Sequence, residues 1–249
     1  MAEVKSSGTS FTYTASFKRI DEVLAAPDEN FPQRDDLPSR DDLTFSNGYF
    51  VRVAALFVDI RNSSNLPGKY SEPALAKLYR AFISEVVAVL DGSPDCDEIN
   101  IVGDGVWGVF DARLKEQVDR VVEAAGRVSS LLDGLNARLL YRGYEALRVG
   151  IGLDWGRALM IKTGFYGSGV NDIVYVGNVV NSAAKLCSLG EQKHGSGYRP
   201  RVMAGREFVN NLLPTGYAGF FTYDASIGCY TASIQNKAMT SWLADNPPN

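Results

Sequence analysis

Two aspartates stand where carboxylates can hold divalent cations. Asp59 ends the apolar run VRVAALFVDI (51–60) and is followed by the polar stretch RNSSN. Asp104 lies between two short apolar runs, INIV (99–102) and VWGVF (106–110), inside Gly103-Asp104-Gly105. A carboxylate at the end of a buried strand, beside free backbone N–H groups, suits a metal ion and the phosphates it carries. Each also has an ordinary explanation: Asp59 caps a turn, and Asp-Gly is a common hairpin pair. Brought to one sheet edge, the pair would hold two divalent cations that polarise a phosphate and lower the pKa of an attacking hydroxyl. A third group is Asn178, Asn181 and Lys185, at i, i+3 and i+7, with Asn181 and Lys185 on one helix face. It is either the solvated side of an amphipathic helix or a ribose- and phosphate-binding stripe, with Lys185 facing developing oxyanion charge.

Other chemistries lack their residues. Gly68-Lys69-Tyr70 has neither the upstream glycine nor the hydroxyl of a phosphate-binding P-loop. GFYGSG (164–169) has no strand or acidic residue where a dinucleotide fingerprint needs them. His194 is the only histidine, and nothing beside it supports a Ser-His-Asp triad or a zinc site.

The elements that must position these residues follow from hydrophobic spacing. The 51–60 run reads as a strand buried on both faces. Ser71 and Pro73 start a helix carrying Leu75, Leu78, Phe82 and Val86 at helical spacing. The runs flanking Asp104 form a hairpin. A second helix spans about 115–141, and RVGIGLDWG (148–156) is another buried strand. The order β-α-β-β-α-β predicts an α+β, ferredoxin-like core: a mainly antiparallel sheet with helices on one face. A Gly-rich loop (164–169), a strand at 172–176, a helix at 178–189 and a C-terminal hairpin over 219–243 complete the body. Residues 1–47, rich in Pro and Asp, read as an arm or linker that docks on the body or on a partner subunit, and 48–249 as one catalytic domain.

Composition sets the outer bounds. The chain has 249 residues, 45% hydrophobic and 22% charged, enough for a sizeable core and unlike a disordered chain. Its net charge of −4 argues against a duplex-binding protein, whose phosphate contacts need clustered Lys and Arg. Cys96, Cys187 and Cys229 are unclustered and odd in number, reading as reduced thiols. No apolar run approaches a membrane span, and the N-terminus lacks a signal-peptide core, so a soluble, cytoplasmic protein is expected.

Taken in order, FVDIRNSSNL (57–66), INIVGDGVWGVF (99–110), RVGIGLDWGRALMIKTGFYGSG (148–169) and VYVGNVVNSAAKL (174–186) resemble the catalytic domain of class III nucleotidyl cyclases. The resemblance covers residues 49 to 243 and implies two Mg²⁺ or Mn²⁺ ions held by Asp59, Asp104 and the Ile60 carbonyl. It places the family's transition-state asparagine on Asn181 and its phosphate-binding arginine on Lys185, which keeps the charge but loses the bidentate fork. Lys237 is the candidate for neutralising the terminal phosphates. The two base-reading positions fall on Asn100, where purine cyclases have Lys or Glu, and on Val174. Neither complements a purine edge, so a different base is implied.

Within that class the chain is similar to the pyrimidine cyclases of Pycsar antiphage systems, whose base pocket is narrowed by an aromatic residue before the first strand. Phe50 is the candidate here, with Tyr49 next, and core packing is the other explanation for Phe50. The resemblance implies conversion of UTP, or else CTP, to the 3′,5′-cyclic monophosphate and pyrophosphate, and a nearby effector that binds the product. It also implies a C2 homodimer whose sites are shared between subunits. A non-catalytic nucleotide sensor and an adenylyl or guanylyl cyclase with altered base contacts are the alternatives.

Overall fold

The computed structural model describes residues 10–166 and 170–248. The start of the N-terminal arm and the Gly-rich positions 167–169 lie outside the described residues. By contacts the chain divides into two units, Met1–Arg52 with Arg157–Asn178, and Val53–Gly156 with Val179–Asn249. Strands β1 (Gly48–Ile60) and β4 (Val149–Gly164) contribute residues to both.

The larger unit is built on α2 (Glu72–Asp91), β2 (Cys96–Val102), β3 (Gly105–Asp111) and α3 (Lys115–Tyr141). After β5 (Asn171–Val176) come α4 (Asn178–Leu189), the short hairpin β6 (Lys193–His194) and β7 (Gly197–Tyr198), β8 (Val202–Ala204) and α5 (Arg206–Asn210). The chain ends with β9 (Thr222–Asp224), β10 (Cys229–Ala232) and α6 (Lys237–Asp245). The main sheet runs β2-β3-β1-β4-β8-β10-β9, and its first four strands have the expected ferredoxin-like order. β1 and β3 pair antiparallel from Val53↔Asp111 to Val58↔Val106. β4 and β8 pair in parallel.

Alternation along the strands sends successive side chains to opposite faces. Ala54, Leu56, Val58 and Ile60 join Leu78, Phe82 and Val86 of α2 and Val121, Val128 and Leu132 of α3 in one buried core. Ser71 sits at the N-cap of α2, with proline in its first turn, as the sequence predicts. The expectation of helices on one face of the β-α-β-β-α-β core holds for its two helices, α2 and α3, and α4 follows that core. That helix lies on the other side of β4, against two glycines. A Cβ on Gly150 would sit 2.1 Å from the Cys187 carbonyl oxygen, and one on Gly152 2.0 Å from that of Ala183. Only bare backbone fits under the helix there.

The C-terminal expectation needs correcting. The hairpin is β9–β10 and ends at Ala232. Lys237 therefore opens helix α6, not a strand, with the Asn236 side chain capping the Met239 N–H at 3.0 Å. Met239, Trp242 and Leu243 give that segment a helical spacing, and Leu243 packs on Gly134 of α3.

The smaller unit contains α1 (Tyr13–Leu24), which buries none of its residues, and the antiparallel pair β4–β5, in register from Leu159↔Val176 to Gly164↔Asn171. The arm forms part of this unit: Arg40 pairs with Asp172 at 2.6 Å, and Gln33 bridges to Phe50. No helix among the described residues is long and apolar enough to cross a membrane. All three cysteines are free thiols.

Candidate active site

The two aspartates meet at the end of β1. The β1–β3 register sets Asp59 opposite Gly105, next to the turn that carries Asp104. That turn is the two-residue pair Gly103-Asp104, with Gly103 at φ +62°, the left-handed value a tight hairpin asks of its first central residue. Asp59 Oδ1 lies 3.2 Å from where a Cβ on Gly105 would stand. Burial pushes the Asp59 carboxyl above the usual range; the Arg61 guanidinium opposes this, and the negative charge of Asp104 adds to it. Asp104 Oδ2 is shielded from solvent and accepts no hydrogen bond among the described residues. A buried carboxylate oxygen without a donor is costly, and a cation is what relieves it. These all-oxygen donors fit a hard divalent ion such as Mg²⁺ or Mn²⁺. No group of three or more His, Cys, Asp or Glu side chains gathers around a metal position among the described residues.

Asn100 stands in the cross-strand row Asn100↔Trp107↔Phe57 over β2, β3 and β1. Phe57 and Trp107 stack with ring centroids 5.2 Å apart and planes 1° from parallel. The Asn100 Nδ2 is buried with no acceptor among the described residues, so the row presents an unused amide donor beside a flat aromatic pair.

Asn181 and Lys185 are exposed along α4, while Val179, Ala183 and Cys187 form its buried stripe. The polar and apolar sides follow the spacing of the sequence, with Val180 and Leu186 half-buried beside that stripe. Two residues missed by sequence reasoning fix this helix. Arg61 pairs through Nη2 with Asp59 Oδ2 and donates through Nη1 to the Ser188 carbonyl in the last turn of α4, at 3.0 Å. Asp154, on β4, takes a hydrogen bond from the Ser182 hydroxyl and another from its neighbour's backbone, Trp155 N–H, at 2.9 Å. Burial raises its pKa to about 6. A polar residue just past a strand and a lone acid inside one leave no periodic signal. Only the DW pair after an apolar run hinted at Asp154.

Of the other expected residues, Phe50 and Val174 belong to the smaller unit and Lys237 to α6. Phe50 is half-buried in the smaller unit, its backbone bonded to Pro32 and Arg34 and its ring under the Arg157 guanidinium at 3.7 Å. Val174 is exposed on β5, in the outward row with Val176. Lys237 is tied to α3 through the adjacent Asn236, whose N–H donates to Ser130 Oγ at 2.8 Å, and no described contact joins it to either aspartate.

Sheet order and the helices packed on it are those of the class III nucleotidyl cyclase fold. The adenylyl cyclase CyaB from P. aeruginosa superposes with a TM-score of 0.61 over 77% of this chain and 98% of its own, at 15% identity. A uridylate cyclase of Gulbenkiania mobilis is 42% identical over 98% of this chain and all of its own, and one of Treponema porcinum is 34% identical over 74% of this chain and 64% of its own. No family model matches the chain. The protein belongs to the uridylate cyclase family of pyrimidine nucleotide cyclases.

Proposed function

We propose that the protein converts UTP to 3′,5′-cyclic UMP and pyrophosphate, with CTP as the second-choice substrate, in a C2 homodimer with two shared sites. The observation that carries the chemistry is the meeting of Asp59 and Asp104 at one strand end, with a buried Asp104 oxygen lacking a donor. Asp59, Asp104 and the Ile60 carbonyl would hold two Mg²⁺ or Mn²⁺ ions, with the triphosphate and water completing the ligand sets. Such ions, when bound, acidify the ribose 3′-OH and neutralise the triphosphate.

The 3′-oxygen attacks the α-phosphorus as the bond to pyrophosphate breaks in line, and the hydroxyl proton leaves to solvent. Asn181 orients the ribose, and Lys185 meets the charge that grows on the α-phosphate. Asn100 donates from its unused amide N–H to a base oxygen, and its carbonyl accepts from a ring N–H; uracil offers both. The name of the relative that matches the whole chain supports UTP as first choice. Phe50 and Val174 carry over from the family resemblance as walls of the base pocket. Lys237, at the start of α6, carries over from the same resemblance as the candidate for neutralising the terminal phosphates.

The same resemblance supports a cytoplasmic enzyme that makes a signal in antiphage defence, and a neighbouring gene for an effector that binds cyclic nucleotides would bear on it. The direct test is incubation with Mn²⁺ and an equal mixture of the four triphosphates. Cyclic UMP and pyrophosphate should dominate the products. Faster loss of ATP or GTP would replace this reading with a purine cyclase, and binding without pyrophosphate release would replace it with a sensor.

A further inference from the structure

We propose that Arg61 holds the place of the second divalent ion until the triphosphate arrives, so that the nucleotide-free enzyme binds one ion per subunit and not two. The inference rests on the metal-binding role proposed for Asp59 and Asp104. Its basis is the division of one carboxylate between two directions. Asp59 Oδ2 is engaged by Arg61 Nη2, while Oδ1 lies over Gly105, toward the turn bearing Asp104. The same Nη2 lies 3.3 Å from the Asp59 carbonyl oxygen, and Nη1 is anchored 3.0 Å from the Ser188 carbonyl. With its side chain only 13% exposed, the guanidinium is a seated group and not a wandering surface charge.

Protein oxygen donors are scarce here, since no third acidic side chain joins the pair among the described residues. Two ions therefore have to share both oxygens of Asp59. One can enter beside Oδ1 and Asp104 while Arg61 keeps Oδ2. A second must take Oδ2, and a dication beside the seated guanidinium meets like-charge repulsion. The triphosphate supplies the negative charge that makes this exchange favourable. Arg61, released from Asp59, retains its hold on the Ser188 carbonyl, and that turn belongs to the helix bearing Asn181 and Lys185.

The test counts Mn²⁺ by the electron paramagnetic resonance signal of the free ion, using the full chain. Without nucleotide, wild type should bind one Mn²⁺ per subunit, and adding 3′-deoxy-UTP, which cannot cyclise, should raise this to two. Arg61→Met should bind two without nucleotide, the second about tenfold tighter than in wild type. Arg61→Lys keeps a cation beside Asp59 and should remain at one. Two ions in nucleotide-free wild type, or no increase with 3′-deoxy-UTP, would overturn the proposal even if Arg61→Met failed to fold. Mn²⁺ binding that Asp104→Asn leaves unchanged would instead remove the metal-site reading, and this inference with it.

Discussion

Ser182 donates its hydroxyl to the Asp154 carboxylate one residue along α4 from Asn181, so a partly buried acid on the sheet helps seat the helix that carries the proposed transition-state group. Burial holds that carboxyl's pKa at about 6 against an ordinary 3.8. The folded protein therefore keeps a proton there that the unfolded chain releases earlier. Stability from this group is present at low pH and is lost as pH rises from about 4 to about 6. Asp154→Asn should remove that slope, so its stability relative to wild type climbs across the window. Denaturant melts at a series of pH values check this, and parallel curves for the two proteins would contradict it.

The shared-site arrangement has its own test. Asp59→Ala and Asn181→Ala should each abolish turnover, while mixing the two folded, dimerised variants should restore activity, because a mixed dimer has one intact site. No recovery in the mixture would count against sites built from opposite subunits.

Lys185 is exposed, so its loss should cost chemistry and not stability. Lys185→Ala should lower kcat by about 10²-fold, in line with removing one donor from developing oxyanion charge, with Tm unchanged. Lys185→Arg, which restores the family's fork, should retain most of kcat.

Gly152→Ala places a methyl where the Ala183 carbonyl oxygen stands 2.0 Å away. It should destabilise the fold by about 1–3 kcal/mol and displace α4. Phe82→Ala, at a fully buried position in the other layer, should cost about 3–5 kcal/mol in the same denaturant measurement while leaving the base preference intact.

Phe50→Ala tests base selection. If Phe50 narrows the pocket, the variant should gain ATP turnover relative to UTP in a mixed-triphosphate reaction. An unchanged ratio would return the ring to a packing role beside Arg157.

Much of this was written in local pattern. The 115–141 helix appears with those limits because its apolar residues repeat over seven turns, and the Asp104 hairpin because two apolar runs meet at glycine. Asp59 and Asp104 come together through topology alone. What spacing could not reveal was tertiary. Arg61 reaches a helix end more than a hundred residues away, Asp154 is known by what buries it, and α4 chooses its face through two glycines that otherwise read as ordinary strand residues. Residues 237–245 went astray because nine residues carry too few turns to outweigh a strand reading continued from the hairpin before them.

Where α4 crosses β4, main chain meets main chain, with carbonyls of Ala183 and Cys187 over Gly152 and Gly150. Peptide groups do not change when neighbouring residues are substituted. Provided both glycines are kept, the seat of Asn181 is insulated from sequence drift, and a lineage can exchange the side chains that sort one base from another without disturbing the machinery of ring closure.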